Sequence, residues 1–182
     1  MAGKFLSGGQ YQPLSSEQLQ IIHKAALNIL ERTGFGYESG LDETLEMLEK
    51  TGVTWDRERS RLFFPSRLVS EKAAQAPERV VLYSRDGKND LDLTQHHVHL
   101  GTGGAAIKVL DLETGEARPS TLEDLYQLGR LVDQLDNIRF FLRPCIPTDI
   151  PGAAYDVNVF YACMKATGKH VMAGVNDVSN FY

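Results

Sequence analysis

Arg139-Phe140-Phe141-Leu142, the run from Pro151 to Thr167, and His170-Val171-Met172-Ala173-Gly174 read in succession as strand, helix and strand. The outer two are short apolar runs of the kind that fill a buried strand. The middle one has Pro151 near its start, where a missing N–H is no loss, and Gly168 just past its end. Strands joined by a helical crossover lie parallel in one sheet. Upstream, Val98-His99-Leu100 reads as another strand, running into Gly101-Thr102-Gly103-Gly104. Residues 107–111 and 116–118 flank Leu112-Glu113-Thr114-Gly115 as a hairpin. Ser120 with Glu123 has capping-box spacing and opens a helix carrying Leu122, Leu125, Leu128 and Val132 on one side. Residues 98–182 therefore predict a barrel-like alternation: strands at 98–100, 139–142 and 170–174 with crossover helices between them.

The territory before residue 98 has a different rhythm. Ser15 and Gln18 form a capping-box pair before a helix to Thr33, with Leu19, Ile22, Ala26, Ile29 and Leu30 at helical intervals and Gly34 as its stop. A short helix spans 42–50. Strands at 53–55 and 62–64 flank the charged turn Asp56-Arg57-Glu58-Arg59. Ser66 is expected to cap a helix ending before Pro77, and strands at 80–83 and 91–93 flank Asp86-Gly87. The expected organisation is a flexible N-terminus over 1–14, a helical and hairpin α+β module over 15–97, and the first part of a barrel over 98–182.

Bulk properties narrow the function. An apolar content of 42% and a charged content of 24% are those of a soluble globular protein. A net charge of −5 with scattered basic residues gives no electrostatic footprint for nucleic acid. No apolar run approaches the roughly 18 residues of a membrane span, and the first ten residues lack a secretory core. Cys145 and Cys163 have neither the number nor the spacing of a disulfide framework, and read as buried thiols in a reducing cytoplasm.

The run His99-Leu100-Gly101-Thr102-Gly103-Gly104, followed by Val109-Leu110-Asp111-Leu112-Glu113-Thr114-Gly115-Glu116-Ala117-Arg118-Pro119-Ser120-Thr121-Leu122-Glu123-Asp124-Leu125, resembles the trimethylamine methyltransferase family. The helix over 19–34, the 64–77 stretch, Leu82-Tyr83-Ser84-Arg85-Asp86, Asn137-Ile138 and the 144–151 loop extend the resemblance over nearly the whole chain. It implies a (β/α)8 TIM-type barrel with an N-terminal elaboration. Members move a methyl group from a methylated amine to the cobalt of a corrinoid carried on a separate small protein. No cofactor is then bound directly by the chain. Some members use a pyrrolysine against trimethylamine, while relatives without it act on glycine betaine. That position lies in later strands, so the catalytic residues are expected beyond Tyr182. A whole barrel needs about 250 residues. The chain is accordingly expected to hold an incomplete barrel, inactive alone and prone to associate, in a protein that forms homo-oligomers.

In a barrel the reactive groups sit at the carboxyl ends of the strands. This makes Gly101, Thr102, Gly103, Gly104, Arg143, Asn176 and Asp177 the candidates for binding substrate or corrinoid. The small residues allow close backbone approach, with N–H groups available to an anion or amide, or they simply turn the chain. Arg143 fits a substrate carboxylate bidentately, or an ion pair with Asp149 or Asp177. Asn176 or Asp177 either faces an ammonium or caps the next helix. Phe140, Phe141, Tyr155, Phe160 and Tyr161 are aromatic walls in principle, although their spacing favours core. Two alternatives stand beside this reading. His97 and His99 alternate on a strand and would share a metal in a barrel metallohydrolase. A catalytically inactive docking or oligomerisation fragment is the other.

Overall fold

The computed structural model describes residues 6–94 and 96–181. Its elements in chain order are β1 (Leu6–Ser7), α1 (Ser16–Asn28), a π-helical turn (Ile29–Thr33), β2 (Phe35–Gly36), α2 (Asp42–Glu49), β3 (Thr54–Asp56), β4 (Arg61–Phe63) and α3 (Ser66–Ala74). These are followed by β5 (Val81–Leu82), β6 (Leu91–Asp92), β7 (His97–Val98), β8 (Lys108–Leu110), β9 (Ala117–Pro119) and α4 (Leu122–Asp133). The chain closes with β10 (Phe140–Leu142), α5 (Gly152–Ala166), β11 (His170–Met172) and a 3-10 turn (Val178–Phe181). The described residues form two compact units, Gln10–Glu78 and a second made of residues 6–9 with those from Arg79 onward.

In the first unit the sheet order is β2-β4-β3, all antiparallel. Leu45, Val53 and Leu62 form its core, packed by Tyr37, Leu48, Trp55, Phe64 and Leu68. The predicted capping box is present: Ser15 N–H donates to Gln18 Oε1 at 2.8 Å and Gln18 N–H to Ser15 Oγ at 3.2 Å. The chain leaves the π-helical turn at Gly34, whose φ of 68° suits glycine. Ser66 does not cap α3 as expected. Pro65 holds the cap position, and Ser66 Oγ donates instead to Glu31 Oε2 at 2.7 Å.

In the second unit, β10 and β11 are parallel, pairing Phe140 with His170, Phe141 with Val171 and Leu142 with Met172. Gly101 bridges Phe140 in parallel on the other side, and Ala106 bridges Cys145 likewise. Three segments taken in chain order therefore run in one direction, but the strand expected at 98–100 is not the first of them: β7 is His97–Val98 and pairs antiparallel with β1, and the chain joins β10 only through the isolated bridge at Gly101. Phe141 and Val171 face α4 and α5 in a core with Leu125, Val132, Tyr155, Val159 and Cys163. Leucine and valine at helical intervals on α4 supply the matching apolar face, as the sequence predicts.

Two expected boundaries move. The division falls at 78/79 rather than 97/98, because the β5–β6 hairpin is bonded to the amino end of β11. Asp86 N–H donates to the Gly168 carbonyl at 3.1 Å, Arg85 Nη1 to that of Thr167 at 3.2 Å, and His170 Nδ1 to that of Tyr83 at 2.8 Å. The segment expected to be a flexible N-terminus begins with residues 1–5, which lie outside the described residues. Its Leu6–Ser7 portion pairs antiparallel with His97–Val98, and Gly8 N–H donates to the His96 carbonyl at 2.8 Å. The capping box expected at Ser120 and Glu123 is built one residue later, on Thr121 and Asp124. On the outer face of α5, Val157, Tyr161 and Met164 are exposed at helical spacing. No helix among the described residues is long and apolar enough to cross a membrane.

Candidate functional site

Parallel strands present all their carboxyl ends on one side, so the three predicted tracts share one rim. Thr102 Oγ1 donates to the Leu142 carbonyl at 2.6 Å, and Arg143 N–H donates to the Met172 carbonyl at 3.0 Å. Arg143 and the loop after β11 thus follow two adjacent parallel strands, and Gly101–Gly104 lies beside β10 through the bridge at Gly101.

Each candidate has a local reason for its identity. A Cβ on Gly101 would collide with the Phe140 ring, so this glycine exists for close packing. Thr102 is held by the neighbouring strand through both its hydroxyl and its N–H, which donates to the Phe140 carbonyl at 3.4 Å. Gly103 has ordinary space around it, with Leu142 at 3.5 Å from an added Cβ. Gly104 has a φ of 125°, a conformation reserved for glycine.

Arg143 follows the parity of Phe141 and turns toward α5. Its Nη1 donates to Tyr155 Oη at 3.1 Å, and its Cζ lies 5.9 Å from the Tyr155 ring centroid. The expected ion pairs with Asp149 or Asp177 are not made: Asp149 Oδ1 accepts the Leu122 amide at 2.9 Å, and Asp177 Oδ1 accepts Ser179 N–H and Oγ–H at 2.9 and 2.7 Å. Those Ser179 bonds hold the Asp177 carboxyl below its ordinary pKa. Asp177 is thus bonded to the 3-10 turn that follows it. Asn176 stays exposed.

The aromatic candidates divide by parity. Phe141 and Tyr155 are core, Phe140 stands against Gly101 on the opposite face of the sheet, and Tyr161 is exposed with Lys165 Nζ 5.6 Å from its ring centroid. Both cysteines are buried; desolvation raises the Cys145 pKa and pushes that of Cys163 up to about 11, so neither is a thiolate at neutral pH.

His97 and His99 do share a face, with ring centroids 6.4 Å apart. Their meeting point is the Asp92 carbonyl, to which His97 Nδ1 and His99 Nε2 donate at 3.2 and 2.9 Å. No group of three or more His, Cys, Asp or Glu side chains with metal-holding geometry occurs among the described residues. In the first unit a cleft of about 240 Å³ is lined by Tyr37, Glu38, Leu41, Trp55 and Arg57, with the Arg57 guanidinium stacked 4.2 Å from the Trp55 centroid.

Sequence reasoning missed two buried charges. Asp156 is 1% exposed and its two oxygens accept the amides of Asn176 and Asp177. It is the lone charged residue in the apolar run 152–164, which is the signal that marks it. Lys169 is 3% exposed, and its Nζ donates to the carbonyls of Val132, Leu135 and Ile138 at 2.6 to 2.7 Å, closing the end of α4.

The sequence profile of the trimethylamine methyltransferase (MTTB) family matches residues 5–181. Trimethylamine methyltransferase MttB of Desulfitobacterium hafniense is 33% identical over 167 residues, covering 92% of this chain and 33% of that protein. The MttB of Methanosarcina thermophila is 27% identical over 169 residues, covering 91% and 35%. A glycine betaine methyltransferase of Desulfitobacterium hafniense is 25% identical over 164 residues, covering 90% and 33%. The chain spans about a third of the length of the curated relatives it matches. With the profile matched over almost its whole length, the chain belongs to the trimethylamine methyltransferase family.

Proposed function

We propose that this chain is the N-terminal part of an enzyme that transfers a methyl group from a methylated amine, trimethylamine or glycine betaine, to the cobalt of a corrinoid on a partner protein. The observation that carries this reading is the parallel order of Gly101, β10 and β11, with glycines and polar groups at one end. In this reading they are the first strands of a (β/α)8 barrel, and the reacting groups of later strands complete the mouth. The relatives named as trimethylamine and glycine betaine methyltransferases support the substrate class.

Transfer from glycine betaine, or from trimethylamine in its protonated form, would leave the carbon–nitrogen electron pair on nitrogen and would need a cobalt(I) nucleophile to accept the methyl group. The corrinoid supplies that nucleophile when its carrier docks. Gly101 and Thr102 do not fit a cradle for the corrinoid, since Phe140 fills the space beside one and the strand holds the other. The remaining rim residues of this chain shape the entrance and exclude water.

Methyl transfer to a cobalt(I) corrinoid protein, followed by the change in cobalt absorbance, tests the reading. A polypeptide of the relatives' length beginning with residues 1–182 is expected to demethylate one of the two amines, and residues 1–182 alone to demethylate neither. No transfer from either amine by the longer polypeptide contradicts the function; turnover by the short chain contradicts the partial barrel.

A further inference from the structure

The loop after β11 is anchored by a side chain that the transfer itself does not use. Asp156 lies on α5 and is 1% exposed. Its Oδ1 accepts the Asn176 amide at 3.0 Å and its Oδ2 the Asp177 amide at 2.9 Å. A buried carboxylate persists only where hydrogen bonds compensate its desolvation, and bonds to an ionised acceptor are roughly twice as strong as neutral ones. One amide bond would leave the loop free to pivot. Two consecutive amides on the two oxygens of one carboxylate fix both its position and its orientation.

The two residues so held then part company. Asp177 directs its carboxylate to Ser179. Asn176 is left as the exposed polar side chain at this strand tip. Its amide oxygen carries a partial negative charge without a proton, which suits an ammonium that has methyl groups in place of N–H donors.

We propose that Asp156 is a positioning residue: through the Asn176 and Asp177 amides it sets the Asn176 side chain at the rim, where its carbonyl oxygen meets the ammonium end of the methylated substrate. The substrate half rests on the proposed function; the anchoring half does not. Displacement of a substrate-positioning group by about 1 Å can slow a reaction roughly a hundredfold, so a remote anchor of this kind matters to rate.

Two measurements test it. In residues 1–182, Asp156→Ala is expected to speed hydrogen exchange at both the Asn176 and Asp177 amides about tenfold or more, leaving Phe141 and Val171 unchanged. Asp156→Asn keeps one acceptor oxygen and should release one of the two amides. It also serves where the alanine variant does not fold. Unchanged exchange at both amides in either variant overturns the anchor.

In the longer polypeptide, D156N and N176A are each expected to lower kcat/KM for the amine turned over by about ten- to a hundredfold, and the double variant by no more than the worse single. Additive losses, or an unaffected N176A, overturn the action through Asn176. A wild-type enzyme inert toward both amines defeats the substrate half, while exchange in the short chain still decides the anchor.

Discussion

Arg118 grips Asp124 with two parallel hydrogen bonds, Nη1 to Oδ2 at 2.7 Å and Nη2 to Oδ1 at 2.8 Å, tying the β8–β9 hairpin to the first turn of α4. The Arg118 guanidinium, helped by Thr121, holds the Asp124 carboxyl far below the ordinary carboxylate range. A depressed native pKa means that Asp124 contributes stability above its unfolded value of about 3.9, lost as pH falls through the native value. The wild type should therefore exceed Asp124→Asn in stability by a constant margin above about pH 5, and the margin should shrink below about pH 4. Urea unfolding of both proteins from pH 2 to 8 checks this; a margin that does not change with acid would contradict it.

Ser120 and Thr121 separate two roles that adjacent hydroxyls are easily assigned in the wrong order. Thr121 Oγ1 accepts the Asp124 amide at 3.2 Å as the true helix cap. Ser120 is fully buried, and its Oγ donates to the Ile146 carbonyl at 2.6 Å. Thr121→Ala should cost about 1 kcal/mol through the cap. Ser120→Ala should cost about 1–3 kcal/mol by leaving a buried carbonyl short of a donor. Thermal and urea denaturation of the two variants give the comparison.

This one-residue slip shows where the sequence is legible and where it is not. Both Ser120-Glu123 and Thr121-Asp124 fit a capping box, and the choice is made by Ile146 and Thr148, more than twenty residues away, through contacts that local spacing does not encode. The helices, the turns and the strand-helix-strand order from Phe140 to Met172 were readable because each depends on residues within a few positions. That Arg143 and the loop after residue 172 follow neighbouring strands was readable from the same local pattern. That Arg143 would turn to Tyr155, and that Asp156 would hold Asn176 and Asp177, depends on how α5 packs on β10 and β11. The shift of the unit boundary to Glu78 has the same cause: hydrogen bonds from Arg85 and Asp86 to Thr167 and Gly168, residues distant in sequence.

Gly129 of α4 packs directly against Ala166 of α5. An added Cβ at Gly129 would lie 2.6 Å from Ala166 Cβ, with the Phe141 ring at 3.4 Å. Gly129→Ala gains about 1 kcal/mol of helix propensity but overpacks a buried contact at about 1–3 kcal/mol. The net effect should be a loss of up to about 2 kcal/mol. Adding Ala166→Gly should recover part of it, with a favourable coupling of at least about 0.5 kcal/mol in a double-mutant cycle. Strict additivity would show that the helices do not meet there.

Lys169 gathers three carbonyls at the end of α4 on one ammonium. Lys169→Met removes that shared charged donor, although the Leu135 N–H still donates to the Val132 carbonyl and the Ile138 N–H to that of Leu135. With bonds to charged groups contributing about 1.5–3 kcal/mol each and not adding fully, the loss should be about 3 kcal/mol or more. Denaturant unfolding measures it, and a change below about 1 kcal/mol would show that the cage is not needed.

Cross-strand nuclear Overhauser contacts in the 182-residue chain test the parallel sheet most directly. Contacts are expected from Phe141 to Val171 and from Leu142 to Met172, together with Gly101 to Phe140 on the other edge. Contacts pairing Phe140 with Met172 and Leu142 with His170, the antiparallel register, would contradict it.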